Sequence, residues 1–323
     1  MICSNPHIAI QSCETYQAES VQKALQETLN SLGGLDKFIQ RGDRVLIKPN
    51  LLFGRPPEQA VTTHPIVIEA ISRMALDCGA KVLLGDSPPL SSAARTAQRC
   101  GITDIINQLG VEIVEFKHPT HDGWNDQLYT SGIATPPLTS ALQEVDLVIN
   151  LPKLKAHQQL LITCAVKNLY GCVVGRTKAY WHFKKRNSVE SFAAMLLAIY
   201  EKISPGLTIV DAITGMEGMG PGNGVPKPIG LIIAGQNAVA IDAVITEILG
   251  VNPIDHFVLR MAQNMEIPGS NIDQIKISGL PITAARIDSF EIPELTPIGF
   301  SIPHLIKGIF KYIREKITHR KNQ

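Results

Sequence analysis

The chain has 323 residues, enough for one large α/β core or for two lobes. Thirty basic against 29 acidic residues leave a formal charge of +1, which excludes the positive footprint of a protein that wraps nucleic acid as its main partner. A hydrophobic share of 45% is ordinary for a globular protein, and no apolar run approaches the roughly 20 residues of a membrane span.

The N-terminal stretch MICSNPHIAIQSCE lacks the basic region and apolar run of an export signal, so a cytoplasmic protein is expected. HIAIQ alternates as a strand does, and ESVQKALQETLNSLGG places Val21, Leu25, Leu29 and Leu32 on one helical stripe that ends at a glycine pair. RVLIK reads as a short strand stopped by Pro49, because proline disfavours the helical conformation in the residue before it. TTHPIVIEAISRMALDCGA predicts a helix with Thr62 or Thr63 as its cap and Pro65 in its first turn. KVLLGDSPP gives the next strand, SSAARTAQRCGITDIINQLG is helical, and VEIVEF and DLVINL are strands.

The second half repeats the style. SVESFAAMLLAIYEKIS is a helix, LTIVD and IGLIIAG are strands, NAVAIDAVITEILG and residues 255–265 are helices, and QIKIS is a late edge strand. The alternation predicts an α/β fold, a mainly parallel β-sheet with helices on both faces, over residues 1–290 and divided into two lobes near residue 150. A proline-punctuated connector is expected over 291–303. Over 304–323, Leu305, Ile309, Ile313 and Ile317 face away from Lys307, Lys311, Arg314 and Lys321, which predicts a basic C-terminal amphipathic helix.

Ligands of open parallel sheets bind beyond the carboxyl ends of the strands, where loops and helix N-termini converge. The polar residues at those exits are therefore the ones to collect: Lys48 and Asn50, Asp86 and Ser87, Lys153, Lys155 and His157, then Asp211 and Glu217. Thr63 and His64 lie in TTHP, Lys167 and Asn168 in AVKNLYGCVVG, and Lys178 and His182 in RTKAYWHFKKR. In one crevice, Lys48, Asn50, Thr63, Ser87, Lys153, Lys155, Lys167 and Asn168 would hold a small anionic ligand, a carboxylate or phosphate. Asp86, Asp211 and Glu217 would hold a divalent metal ion beside it, and His157 or His64 would act as general acid or base. The alternative is a set of unrelated, well-hydrated loops, the ordinary fate of a lysine after a strand.

Asp242 stands on an otherwise apolar helix, where a buried carboxylate needs a cationic or metal partner. DAITGMEGMGPGNGVPKP has neither the GxGxxG of a dinucleotide fold nor a P-loop ending, and reads either as a lid or as a long surface loop. The six cysteines, Cys3, Cys13, Cys78, Cys100, Cys164 and Cys172, show no Cys-x-x-Cys spacing, so reduced, mostly buried thiols are expected.

The succession VLIKPNLL, TTHP, GDSP, DLVINLPKLKAH, AVKNLYGCVVG, IVDAITGMEGMGP and AIDAV, from Val45 to about Val244, resembles the family known as domain of unknown function 362. The resemblance implies an α/β protein, and it implies that Lys48, Asn50, Thr63, His64, Asp86, Ser87, Lys153, Lys155, His157, Lys167, Asn168, Asp211 and Glu217 belong to the family's polar signature, with no role attached to any of them. Many members carry a ferredoxin-like module with cysteines for two [4Fe–4S] clusters. This chain has no cysteine beyond Cys172, so no iron–sulfur cluster is expected in it.

Two functional classes follow. One is an enzyme acting on a small anionic substrate with a divalent metal. The other is a non-catalytic accessory or assembly factor linked to iron–sulfur or redox maturation. The tail, 304–323, would either pack on the domain or make a peripheral contact with an anionic membrane or a protein.

Overall fold

The computed structural model describes residues 5–89, 91–124, 131–174, 178, 181 and 188–295. The expected helix over 304–323, the connector beyond residue 295 and His182 lie outside the described residues.

In chain order the elements are β1 (His7–Ser12), α1 (Ala18–Ser31), β2 (Arg44–Pro49), α2 (Pro65–Asp77), β3 (Lys81–Asp86), α3 (Ala93–Arg99), α4 (Thr103–Gln108) and β4 (Glu112–Glu115). There follow β5 (Pro119–Thr120), β6 (Leu138–Thr139), β7 (Leu147–Leu151), β8 (Lys153–His157), β9 (Leu161–Thr163) and α5 (Ala165–Asn168). The last are α6 (Val189–Ile203), β10 (Leu207–Glu217), β11 (Val225–Gly235), α7 (Ala238–Ile248), α8 (Phe257–Asn264) and β12 (Lys276–Gly279).

A ten-stranded sheet runs in the order β12-β1-β11-β10-β7-β2-β3-β4, with β8 pairing β10 and β9 pairing β8. Its pairings are parallel except β1–β11, β10–β11 and β8–β9. Strands from both halves of the chain are interleaved, and the sheet crosses residue 150 without a break.

Strand alternation sorts the apolar residues onto two faces. Ala9, Val45, Ile47, Val82, Leu84, Ile149 and Ile209 pack with Val21, Leu25 and Leu29 of α1 and with Val67, Ile68 and Ile71 of α2. Their neighbours in sequence, Ile8, Leu46, Leu83, Val148 and Val210, pack on the opposite face with Phe192 and Leu196 of α6 and Ile241 and Val244 of α7. The helices of the first half thus cover one face and those of the second half the other. Among the described residues no helix is long and apolar enough to cross a membrane.

Several boundaries differ from the expectation. Pro49 does not end its strand at Lys48: it is the last residue of β2, pairing with Leu151 on the β7 side, after the β3 pairing has stopped at Ile47. A proline is tolerated there because it ends the strand. The α2 cap is His64, whose Nδ1 accepts the Ile66 N–H at 3.2 Å, and neither threonine serves. Thr63 instead accepts the Asn50 N–H at 2.8 Å and donates to the Leu151 carbonyl at 2.7 Å, tying the β2 exit to the end of β7.

The largest difference concerns PKLKAH, which is not a strand exit. β8 begins immediately after Pro152, and the 11-residue β10 pairs with β7 near its start and with β8 further along. β7 and β8 therefore follow one another along the same neighbour. The glycine-rich segment is likewise mostly strand. β10 runs on to Glu217 and β11 starts at Val225, so only the hairpin tip, 218–224, remains, and Gly220 packs so closely on the Ala156 carbonyl of β8 that a side chain there would collide with it.

Candidate functional site

The period of two in a strand decides which way KLKAH points. Leu154 and Ala156 enter the core under α6, which turns Lys153, Lys155 and His157 to the other face, and all five residues are buried. The lysines are thus carried into the interior by an ordinary strand pattern. β2, β3 and α5 bring polar partners to them from the neighbouring strand ends.

Lys48 is 1% exposed and forms an ion pair with Asp86 at 2.8 Å. Its ammonium also donates to the Pro49 carbonyl at 2.6 Å and to Asn168 Oδ1 at 3.3 Å. Asp86 accepts the Leu51 and Ser87 backbone N–H groups, each at 2.9 Å. Burial by itself would raise the Asp86 carboxyl, but Lys48, Lys178 and the Leu51 N–H outweigh it and hold the group below the usual range. Lys178 donates to the Ser87 and Gly171 carbonyls. Gly171 is required here because a Cβ would run into both the Asp86 carboxylate and the Lys48 ammonium.

Lys153 makes the second ion pair, with Asp211 at 3.0 Å. Tyr16 completes it, donating to Asp211 at 2.8 Å and accepting from Lys153 at 2.6 Å and from the Thr214 N–H at 3.1 Å. Asp211 also accepts the His64 N–H at 2.8 Å, so its charge sits at the start of α2, where a helix favours an anion. The His64 ring stacks on Tyr16 with centroids 3.6 Å apart. Burial pushes the His64 imidazole down to about 4, with Asp211 opposing and Lys153 assisting, so it is neutral at physiological pH.

Between the two ion pairs lies Lys155, which has no carboxylate of its own. It donates to Asn50 Oδ1 at 2.8 Å and to the Val61 carbonyl at 2.7 Å. Burial, with repulsion from Lys167 and Lys153, pushes its ammonium well below the ordinary lysine value. The Asn50 amide donates to Asn168 at 3.0 Å, and Asn168 donates to the Lys48 carbonyl at 3.2 Å and to Asn150 at 2.8 Å. One chain of hydrogen bonds therefore links Asp86, Lys48, Asn168, Asn50 and Lys155. Lys167, on α5, is half-buried, and its side chain makes no hydrogen bond or ion pair with a described residue. Burial lowers its ammonium to about 7, and burial, only partly offset by Asp86, lowers that of Lys178 to about 8.

Of the residues expected to share a crevice, Lys48, Asn50, Thr63, His64, Asp86, Ser87, Lys153, Lys155, Asn168 and Asp211 are joined by these contacts, and Lys167 lies within electrostatic reach of Lys155. Two are held by other contacts as well. The His157 Nδ1 accepts the Gln159 and Leu160 N–H groups at 3.0 and 3.2 Å and so caps the turn after β8. Glu217 pairs with Lys227 at 3.4 Å and accepts the Glu291 N–H at 2.9 Å, binding the hairpin to the segment after it.

The three acids expected to hold a metal are not gathered into one set. Among the described residues no three His, Cys, Asp or Glu side chains meet as ligands, and the oxygens of Asp86 and Asp211 already accept from lysine, tyrosine and backbone donors. These donors do not fit a divalent cation. Asp242 is met by backbone donors where a cationic or metal partner was the expectation: it accepts the Ala165 and Val166 N–H groups at 2.8 and 3.1 Å, capping α5, and pairs with no cation among the described residues. Cys164 and Cys172 are buried thiols, both pushed up by burial, the latter to about 12.

Tyr16, Asn150 and Gly171 were not singled out from the sequence. Tyr16 had a signal: β1 is antiparallel to β11 and β11 to β10, so β1 runs with the parallel strands and its exit belongs to the same edge. Replacing Lys48 by methionine strands the Asp86 charge and is expected to cost about 3–5 kcal/mol in urea unfolding. Adding Asp86→Asn should recover about 1–3 kcal/mol of the summed single costs in a double-mutant cycle, whereas additive losses would mean that the pair is not coupled.

Comparison with known proteins bears on identity. The family model described as "Domain of unknown function (DUF362)" matches residues 45–247, a span that holds every lysine of the network. The thylakoid-associated protein sll1697 of Synechocystis is 36% identical over 313 residues, covering 95% of each chain. A solved structure, the lactate racemase apoprotein of Thermoanaerobacterium thermosaccharolyticum, aligns with a TM-score of 0.43 at 12% identity over 63% of this chain and 50% of its own. The matched span and the full-length relative agree that this chain belongs to the DUF362 family.

Proposed function

We propose that the protein is an enzyme that acts on a small anionic substrate, a carboxylate or a phosphate, held at the buried lysine network. The observation that carries this reading is a surplus of positive charge. Lys48, Lys153, Lys155, Lys167 and Lys178 converge on a region in which, among the described residues, Asp86 and Asp211 are the buried carboxylates paired with lysine, the buried Asp242 being taken up by the Ala165 and Val166 N–H groups. An unpaired buried ammonium is costly, so the three without their own acid either lose their protons or acquire an anion. Lys48 and Lys153 are already neutralised and serve as scaffold. The charge available to a ligand belongs to Lys155, Lys167 and Lys178.

This reading fixes the sign of a pH dependence. An anion binds the protonated amines, and Lys167 and Lys178 lose their protons near 7 and 8. Oxalate, whose carboxylates stay ionised throughout, should bind more weakly as pH rises from about 6.5 to about 9, and binding at about pH 8 should take up protons. Calorimetry in buffers of different ionisation enthalpy reads both. Affinity independent of pH, or no binding at all, would remove the proposal.

A second reading concerns residues 304–323. The curated relative is named as thylakoid-associated, and here the stripe Leu305, Ile309, Ile313, Ile317 backed by Lys307, Lys311, Arg314 and Lys321 is the pattern of a segment that lies on an anionic bilayer surface. A chain truncated after Ile302 should lose co-sedimentation with phosphatidylglycerol vesicles that the full chain retains. Equal sedimentation of the two would contradict it.

A further inference from the structure

The lysines of the network differ in what their nitrogens are free to do. Lys48 and Lys153 are held as ammonium ions against carboxylates at 2.8 and 3.0 Å. Lys155 and Lys178 each direct two N–H groups to carbonyl oxygens, which leaves a third for a ligand when the amine is protonated. Lys167 alone of the five is bound to no described residue, and it is half-buried where Lys48, Lys153 and Lys155 are fully buried.

Its backbone is nevertheless fixed. Asp242 holds the N–H groups of Ala165 and Val166, Val166 is fully buried, and the Asn168 side chain is bonded to Lys48, Asn50 and Asn150. A short, pinned helix thus presents an amine that no described residue engages, within electrostatic reach of Lys155.

We propose that Lys167 is the reactive amine of this centre and forms an imine with an aldehyde or keto group carried by the anionic substrate. This rests on the anion-binding reading above and narrows it to carbonyl-bearing acids or phosphates. Desolvation is one means by which a lysine is kept as the free base near neutral pH, and burial lowers the Lys167 amine here to about 7. The nitrogen lone pair attacks the carbonyl carbon and the C=O π pair moves to oxygen. The two amine protons pass to that oxygen, the C–O bond breaks, and water leaves as the C=N bond forms. No oxidant or further reactant is needed. The anionic end of the substrate, held by the remaining lysines, would orient the carbonyl toward Lys167.

The test uses the full chain near neutral pH with pyridoxal 5′-phosphate, an aldehyde that carries a phosphate, and with pyridoxal, which lacks it. Sodium borohydride reduces any imine to a stable secondary amine, which peptide mass spectrometry locates. The expected result is one label per chain, on Lys167, slower with pyridoxal, slowed by oxalate or inorganic phosphate, and lost in Lys167→Arg, a variant that keeps the charge and whose circular dichroism matches the parent. Label scattered over exposed lysines with Lys167 unmodified, while oxalate still binds, would overturn the imine and leave the anion reading standing. Labelling of Lys167 at the same rate by both aldehydes, without protection by either anion, would uphold the reactive amine and overturn the anion reading.

Discussion

Burying a lysine ammonium is among the more costly acts in protein folding, and this protein does it repeatedly in one place. The Lys48–Asp86 and Lys153–Asp211 pairs satisfy two of the charges with direct carboxylate contacts. The rest are met with carbonyl and amide oxygens or, for Lys167, with nothing described. Such an arrangement is not what a fold selected only for stability would contain, because apolar side chains of similar size would hold the same volume at lower cost. The hydrogen-bond chain through Asn168 and Asn50 fixes the geometry, and the missing negative charge is what a ligand can supply.

The sheet explains why these groups meet. β3 pairs with β2 and β2 with β7, while β10, on the other side of β7, continues past them and carries β8 on its extension. The carboxyl ends of the shorter strands therefore face a wall made by a strand that starts where they stop. Pro152, whose carbonyl accepts the Asp211 N–H at 3.0 Å, marks the handover from β7 to β8. Through Asp211 that wall is tied to Tyr16 at the β1 exit and to the His64 N–H at the start of α2, so three distant chain segments close on one carboxylate.

Much of this was legible in the residues. The α/β alternation, the parallel sheet with helices on both faces and the polar strand exits followed from periodicity and from where ligands bind in such sheets. KLKAH reads as the exit of β7 because charged side chains at every second position after a proline do not resemble a buried strand, and only the buried partners supplied by β2, α5 and β10 make a strand of it. The hairpin is hidden for a similar reason, since DAITGMEGMGPGNGVPKP reads as a lid or a long surface loop where Gly215 is strand and Gly220 packs closely against Ala156. The histidines were read as acid–base groups from their intrinsic pKa, yet both use Nδ1 to accept backbone N–H groups, a role that depends on a turn the sequence does not announce. The acids were read as metal ligands because their lysine partners lie far away in sequence.

Everything functional in this account requires that the network carry amines able to gain or lose a proton near neutral pH. Carbon-13 NMR of the chain labelled at the lysine Cε positions reads this directly, with Lys167→Arg and Lys178→Arg assigning the resonances. The account predicts one lysine titrating at about 7 and another at about 8, assigned to Lys167 and Lys178 respectively. Every lysine titrating at about 10.4, the value of a solvated side chain, would contradict it.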